Sequence, residues 1–159
     1  MDSTGVVIFG GTFDPFHQGH FEIVKSLSKE FDKVLVIPTN VSYYKNHKIT
    51  DFKTRFDNVK KQLKTFSNVE VSDIERTNIT QSFYDVLKII SKKYTNISLA
   101  LGSDEYNMLD TWKNYKEILK LVKLVVITRP NYEINYKFII NKIINLNMNI
   151  SSTQLRNLK

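Results

Sequence analysis

The chain's chemistry is concentrated in eleven consecutive residues, Gly10-Gly11-Thr12-Phe13-Asp14-Pro15-Phe16-His17-Gln18-Gly19-His20. Two adjacent glycines let a backbone turn tightly and approach a ligand with no Cβ in the way, and Asp14-Pro15 fixes the next bend. His17 and His20 stand three apart, so on an opening helix both point to one side. A helix N-terminus adds unpaired N–H groups and a partial positive charge. With two imidazoles beside it, and Gly19 leaving access between them, the run suits a polyphosphate. Other chemistries fit less well. A dinucleotide fingerprint needs G-x-G-x-x-G and a later acid, and a Walker loop needs G-x-x-x-x-G-K-[ST]; neither is present. Zinc needs a third ligand, and His47 is the only other histidine in a chain without cysteine. The bland reading, a Gly-Gly turn with two inert surface histidines, suits a lone His-x-x-His better than the whole run.

These residues need elements to hold them. Short apolar, β-branched runs alternate with segments of helical period. Strands are expected at Gly5 to Phe9, Lys33 to Pro38, Val69 to Val71, Ile97 to Leu101 and Leu121 to Thr128. Helical stripes fall at Ile23, Val24, Leu27 and Phe31; at Phe52, Phe56, Val59, Leu63 and Phe66 behind an Asp51 cap; and at Phe83, Leu87, Ile90 and Tyr94 behind Thr80. A last helix is expected near Tyr136 to Ile144. Alternation of this kind predicts an α/β fold, a doubly wound parallel sheet of about five strands with helices on both faces. Ligands then bind beyond the carboxyl ends of the strands, where the winding reverses.

Composition limits the partners. A chain of 159 residues with 42% apolar and 25% charged residues predicts a single domain, residues 1–159. No apolar run nears the roughly 20 residues of a membrane span, and the start lacks a basic region followed by an apolar stretch. The expected location is the cytoplasm. The net charge of +7 favours anionic partners. However, 19 Lys, 17 Ile and 15 Asn against 4 Arg is the bias that AT-rich codons impose, so the charge is weak evidence. Aromatic and basic residues do not interleave, which argues against nucleic acid.

The first motif, G-G-T-F-D-P-x-H-x-G-H after the opening strand, resembles that of the HxGH nucleotidyltransferase superfamily, and in detail that of bacterial nicotinate mononucleotide adenylyltransferases. Further matches follow in order: Pro38, His47-Lys48 and Arg55; Val71 to Arg76 (VSDIER); Leu101-Gly102-Ser103-Asp104 with Trp112-Lys113; Arg129-Pro130; and the closing Ile150-Ser151-Ser152-Thr153-Gln154-Leu155-Arg156. The likeness spans nearly the whole chain. Two departures stand out. Gln81-Ser82-Phe83 occupies the place of the family's Ser-Tyr-Thr, which leaves open the choice between acid and amide acceptors. The chain also ends three residues after Arg156 where relatives continue, so it is expected to be minimal or cut from a longer protein.

The resemblance implies a Rossmann-like fold and transfer of AMP from ATP to the phosphate of nicotinate mononucleotide, a step of NAD biosynthesis. His17, His20 and Arg156 would be catalytic. The ATP site would comprise Gly10, Gly11, Thr12, Phe13, His17, Gly19, His20, Gly102, Asp104, Ser152, Thr153 and Arg156. Lys48, Ser82, Phe83, Trp112 and Arg129 would bind the acceptor. Mg²⁺ is expected with ATP, held by the nucleotide and water, without a metal site built from protein side chains. Small nucleotides are the expected partners, neither nucleic acid nor membrane, and homo-oligomerisation is left open. The alternative is phosphopantetheine adenylyltransferase or another HxGH enzyme; its first motif carries threonine where His17 stands. A nucleic-acid-binding module and a catalytically silent nucleotide sensor are the readings from other classes.

Overall fold

The computed structural model describes residues 5–40 and 49–146. Its sheet has six parallel strands in the order β3-β2-β1-β4-β5-β6: β1 Val6–Gly11, β2 Lys33–Pro38, β3 Val69–Val71, β4 Ile97–Gly102, β5 Lys123–Ile127 and β6 Lys142–Ile144. The central strands are apolar almost throughout because both faces are covered. Alternation decides which face each side chain serves. Val7, Phe9, Val34 and Val36 pack with Val24, Leu27 and Val59 from α1 (Gln18–Glu30) and α2 (Phe52–Gln62). Ile8, Leu35, Leu99 and Leu101 pack on the other face with Leu87 and Ile118, from α4 (Phe83–Ile90) and α6 (Tyr115–Leu121). The chain changes face between β3 and β4 through α3 (Ile74–Thr77) and α4. The winding therefore reverses between the paired strands β1 and β4, and a crevice opens beyond their carboxyl ends.

All five expected strands and the first three helices appear near their expected positions, and Asp51 caps α2 by accepting the Thr54 N–H at 3.0 Å. Helix α4 starts after Ser82 rather than at Thr80, with Asp85 accepting the Gln81 N–H at 2.9 Å. The helix expected near Tyr136 to Ile144 does not form; residues 142–144 are instead a sixth strand. The clustered isoleucines satisfy a helical period, but tertiary bonding to α5 (Ser103–Asn107) and β5 overrides it. The buried Tyr106 hydroxyl donates to the Phe138 carbonyl at 2.7 Å and accepts the Phe138 N–H at 2.8 Å, holding residues 134–141 against α5 without regular structure. Asn141 then pairs with Leu124 through backbone and side chain, at 2.9 and 3.1 Å, and sets the register of β6.

A buried arginine holds the two loops that leave β1 and β2. Arg55, on α2 and 2% exposed, donates to the carbonyls of Thr12 at 2.9 Å, Thr39 at 2.7 Å and Thr50 at 2.6 Å, and reaches Asn40 at 3.5 Å. Burial lowers its pKa, and the charges of Asp14, Asp51 and Glu75 oppose that effect. Arg55→Met would strip these carbonyls of their donor. Urea unfolding should show a loss of about 3 kcal/mol, and a loss below about 1 kcal/mol would contradict this role.

Candidate active site

A cavity of about 540 Å³ lies beyond the ends of β1 and β4, at the winding reversal. Its wall includes Gly10, Gly11, Thr12, Phe13, His17, Gly19 and His20 from the first motif, and Gly102, Ser82, Phe83, Trp112 and Arg129 from farther along the chain. Asp104 stands just behind the wall. Lys48, Ser152, Thr153 and Arg156 lie outside the described residues. Among the described residues, the expected nucleotide and acceptor groups therefore share one crevice.

The imidazoles are built into the start of α1. His17 is its N-cap: Nδ1 accepts the Gly19 N–H at 3.1 Å, while His20 Nδ1 accepts the His17 N–H at 3.1 Å. The rings stack 3.7 Å apart. Accepting at Nδ1 places the proton of each neutral ring on Nε2, so both present a donor there. Burial, and secondarily the charge of Arg129, lowers the His17 pKa to about 4. The ring is neutral at physiological pH and acts as a dipolar donor rather than a cation. Phe13 and Phe16 close on His20 with centroid distances of 5.1 and 5.2 Å and restrict its rotation. A Cβ on Gly11 would sit 2.8 Å from the Phe13 ring, so this glycine makes room for that packing.

The far wall is mixed. Phe83 and Trp112 meet edge to face at 5.7 Å, an apolar surface for a flat ring. Arg129 Nη1 lies 3.7 Å from Asp104 Oδ2, and Asp104 Oδ1 is buried without a partner. Gly102 has no space for a side chain, since a Cβ would come within 2.6 Å of that oxygen and 2.9 Å of Arg129 Cδ. Sequence reasoning gave no role to Thr39, Glu75 or Glu105, which also line the cavity. Glu105 accepts the Gly102 N–H at 3.2 Å. Its low-dielectric surroundings first, and Asp104 second, push its carboxyl up to about 7. Its side chain is open to the crevice, so water there offsets part of that push until a ligand displaces it. The acidic VSDIER segment was a signal for Glu75; Thr39 and Glu105 had no local signature beyond their place after a strand.

Residues 8–158 match the cytidylyltransferase-like family. The chain belongs to that family. It is 38% identical to a protein of Fusobacterium nucleatum named "Probable nicotinate-nucleotide adenylyltransferase", over 96% of this chain and 86% of that one. A protein of the same name from Aliarcobacter butzleri is 35% identical over 95% and 85%. The family membership thus extends to the nicotinate-nucleotide adenylyltransferases, which are nucleotidyltransferase enzymes. Plasmodium falciparum nicotinic acid mononucleotide adenylyltransferase, solved in complex with NaAD, superposes with a TM-score of 0.81 at 21% identity, covering 96% of this chain and 82% of that one. At that identity the likeness establishes the fold. No helix among the described residues is long and apolar enough to cross a membrane.

The cap makes a prediction about acid. Unfolded, His17 titrates near 6.5; folded, near 4. The unfolded state binds the proton first, so stability present above pH 6.5 should fall as pH drops towards 4, by at most about 1.4 kcal/mol per unit. His17→Asn keeps a capping acceptor but does not titrate. In urea melts at pH 7 and pH 5 the variant should lose less stability than the parent; equal losses would remove His17 as the cause.

Proposed function

We propose that the chain moves AMP from ATP to the phosphate of nicotinate mononucleotide as a single catalytic domain, releasing pyrophosphate. The observation that carries this reading is the stacked, neutral His17–His20 pair, held as Nε2 donors in the wall of a crevice that also holds the Phe83–Trp112 surface. An acceptor phosphate oxygen attacks the α-phosphorus of ATP, and the bond to the oxygen bridging the α- and β-phosphates breaks. The nucleophile is already ionised, so no general base is needed. Positioning and charge stabilisation supply the catalysis.

The residues divide the work by chemistry. His17 and His20 donate to the phosphates where charge develops; Thr12 and the Gly10-Gly11 backbone line their approach. A neutral donor pair stabilises the leaving pyrophosphate through oriented N–H dipoles. Arg129 supplies positive charge in the same wall. Asp104, with its unpartnered oxygen behind Gly102, suits a ribose hydroxyl of the adenosine. Phe83 and Trp112 receive the pyridine ring, with Ser82 at the start of α4. Ser152, Thr153 and Arg156 are assigned to the β- and γ-phosphates and Lys48 to the acceptor, on the strength of their motifs. Nucleotidyltransferases that use ATP generally need a divalent metal, and Mg²⁺ is the proposed ion. The ion would be held by phosphate oxygens and water. A cytoplasmic location is part of the same proposal.

Purified protein given ATP, Mg²⁺ and nicotinate mononucleotide should yield the dinucleotide and pyrophosphate, and CTP should not replace ATP. Absence of product with both the acid and the amide acceptor would overturn the reading. His20→Ala should lower kcat by roughly 10²- to 10³-fold while the protein remains folded at the assay temperature, its unfolding midpoint lowered only by the lost cap and packing; unaltered turnover would exclude the imidazole from catalysis. Chelation of divalent ions should stop turnover and added Mg²⁺ restore it.

A further inference from the structure

Glu75 is an unusual group to bury beside a site for anions. It is 9% exposed, lines the crevice, and uses Oε1 to accept the Asn40 N–H at 3.2 Å. Its second carboxylate oxygen accepts no hydrogen bond from a described residue, and no ion pair within 4 Å joins it to Arg55, whose guanidinium is occupied by backbone carbonyls. Thr39, next to Asn40 in the same wall, has an Oγ1 that is buried without a partner. Holding a loop N–H needs only one neutral acceptor. A carboxylate costs more to bury, so its remaining oxygen and the nearby hydroxyl call for a ligand that donates hydrogen bonds.

The acceptor offers three chemical parts. Its phosphate would be repelled by Glu75. Its pyridine ring suits Phe83 and Trp112. What remains is the sugar, whose neighbouring hydroxyls can donate to a carboxylate as they do in other nucleotide sites. We propose that Glu75 is the specificity residue for the acceptor's ribose, its second carboxylate oxygen accepting a hydrogen bond from a sugar hydroxyl while Thr39 Oγ1 meets the neighbouring hydroxyl. Burial raises the Glu75 pKa, and the Asn40 N–H and the charge of Arg55 offset only part of that rise.

The inference rests on the proposed reaction, and the test separates the two. Dinucleotide formation is measured with nicotinate mononucleotide and with its 2′-deoxy and 3′-deoxy analogues, for the parent protein and for Glu75→Gln, which retains an acceptor for Asn40. Binding is followed in parallel by quenching of the single tryptophan, Trp112. The parent should lose roughly 10- to 100-fold in kcat/KM with at least one analogue, mostly through KM. In Glu75→Gln that analogue and the ribose acceptor should come within about threefold of each other. Should Glu75→Gln not fold, Thr39→Val, which leaves the Glu75–Asn40 bond in place, should narrow the preference for the other hydroxyl. A parent indifferent to both deoxy analogues overturns the inference, as does a preference that Glu75→Gln leaves unchanged. A parent that forms no dinucleotide from any acceptor overturns the reaction itself.

Discussion

The geometry of the crevice depends on one buried guanidinium. The loops leaving β1 and β2 have no regular partner, and their carbonyls would be orphaned beneath the site. Arg55 reaches Thr12 in one loop and Thr39, Asn40 and Thr50 in the other. Its planar, multi-donor head can satisfy several carbonyls at once, which a lysine's compact ammonium cannot do across the same span. Asp14 and Glu75 complete the arrangement by accepting the N–H groups of Thr50 and Asn40. Wall residues from two separate loops are thereby fixed relative to each other before any ligand arrives.

The helix cap extends this preorganisation to the chemistry. Most N-caps use a short hydroxyl or carboxylate; here the cap is an imidazole, so the group that satisfies the helix is also the group aimed at the substrate. His17 and His20 satisfy α1 with Nδ1 and present Nε2, and the phenylalanines around His20 restrict its rotation. The donors are oriented in advance, which is the condition under which electrostatic stabilisation costs no reorganisation during reaction.

Much of this was legible in the sequence because it is local. The strands declare themselves as β-branched apolar runs, and the Gly10 to His20 run carries its own turn, cap and donors. The misreading of residues 136–144 has a physical reason: Ile139, Ile140, Ile143 and Ile144 fit a helical stripe, yet Ile139 is 85% exposed and the segment's bonds go to Tyr106 and Leu124, far away in the chain. Thr39 was invisible as a site residue for the same reason, since its place in the wall comes from the loop Arg55 gathers; Glu75 lay in a matching segment, but its position in the wall comes from the crossover after β3. Arg55 itself was legible as part of a motif, but not as the support beneath it. The assignments of Lys48, Ser152, Thr153 and Arg156 rest on sequence alone.

Sheet margins are where folded chains most readily recruit other chains, and the described sheet treats both of its margins alike. The outermost strands, β3 and β6, are only three residues long, and each carries a charged side chain in an ion pair: Glu70 with Lys33 at 2.6 Å and Lys142 with Glu30 at 2.9 Å. Short, charged borders offer little unpaired backbone for a neighbour to extend. The apolar strands at the centre are thus screened on either side.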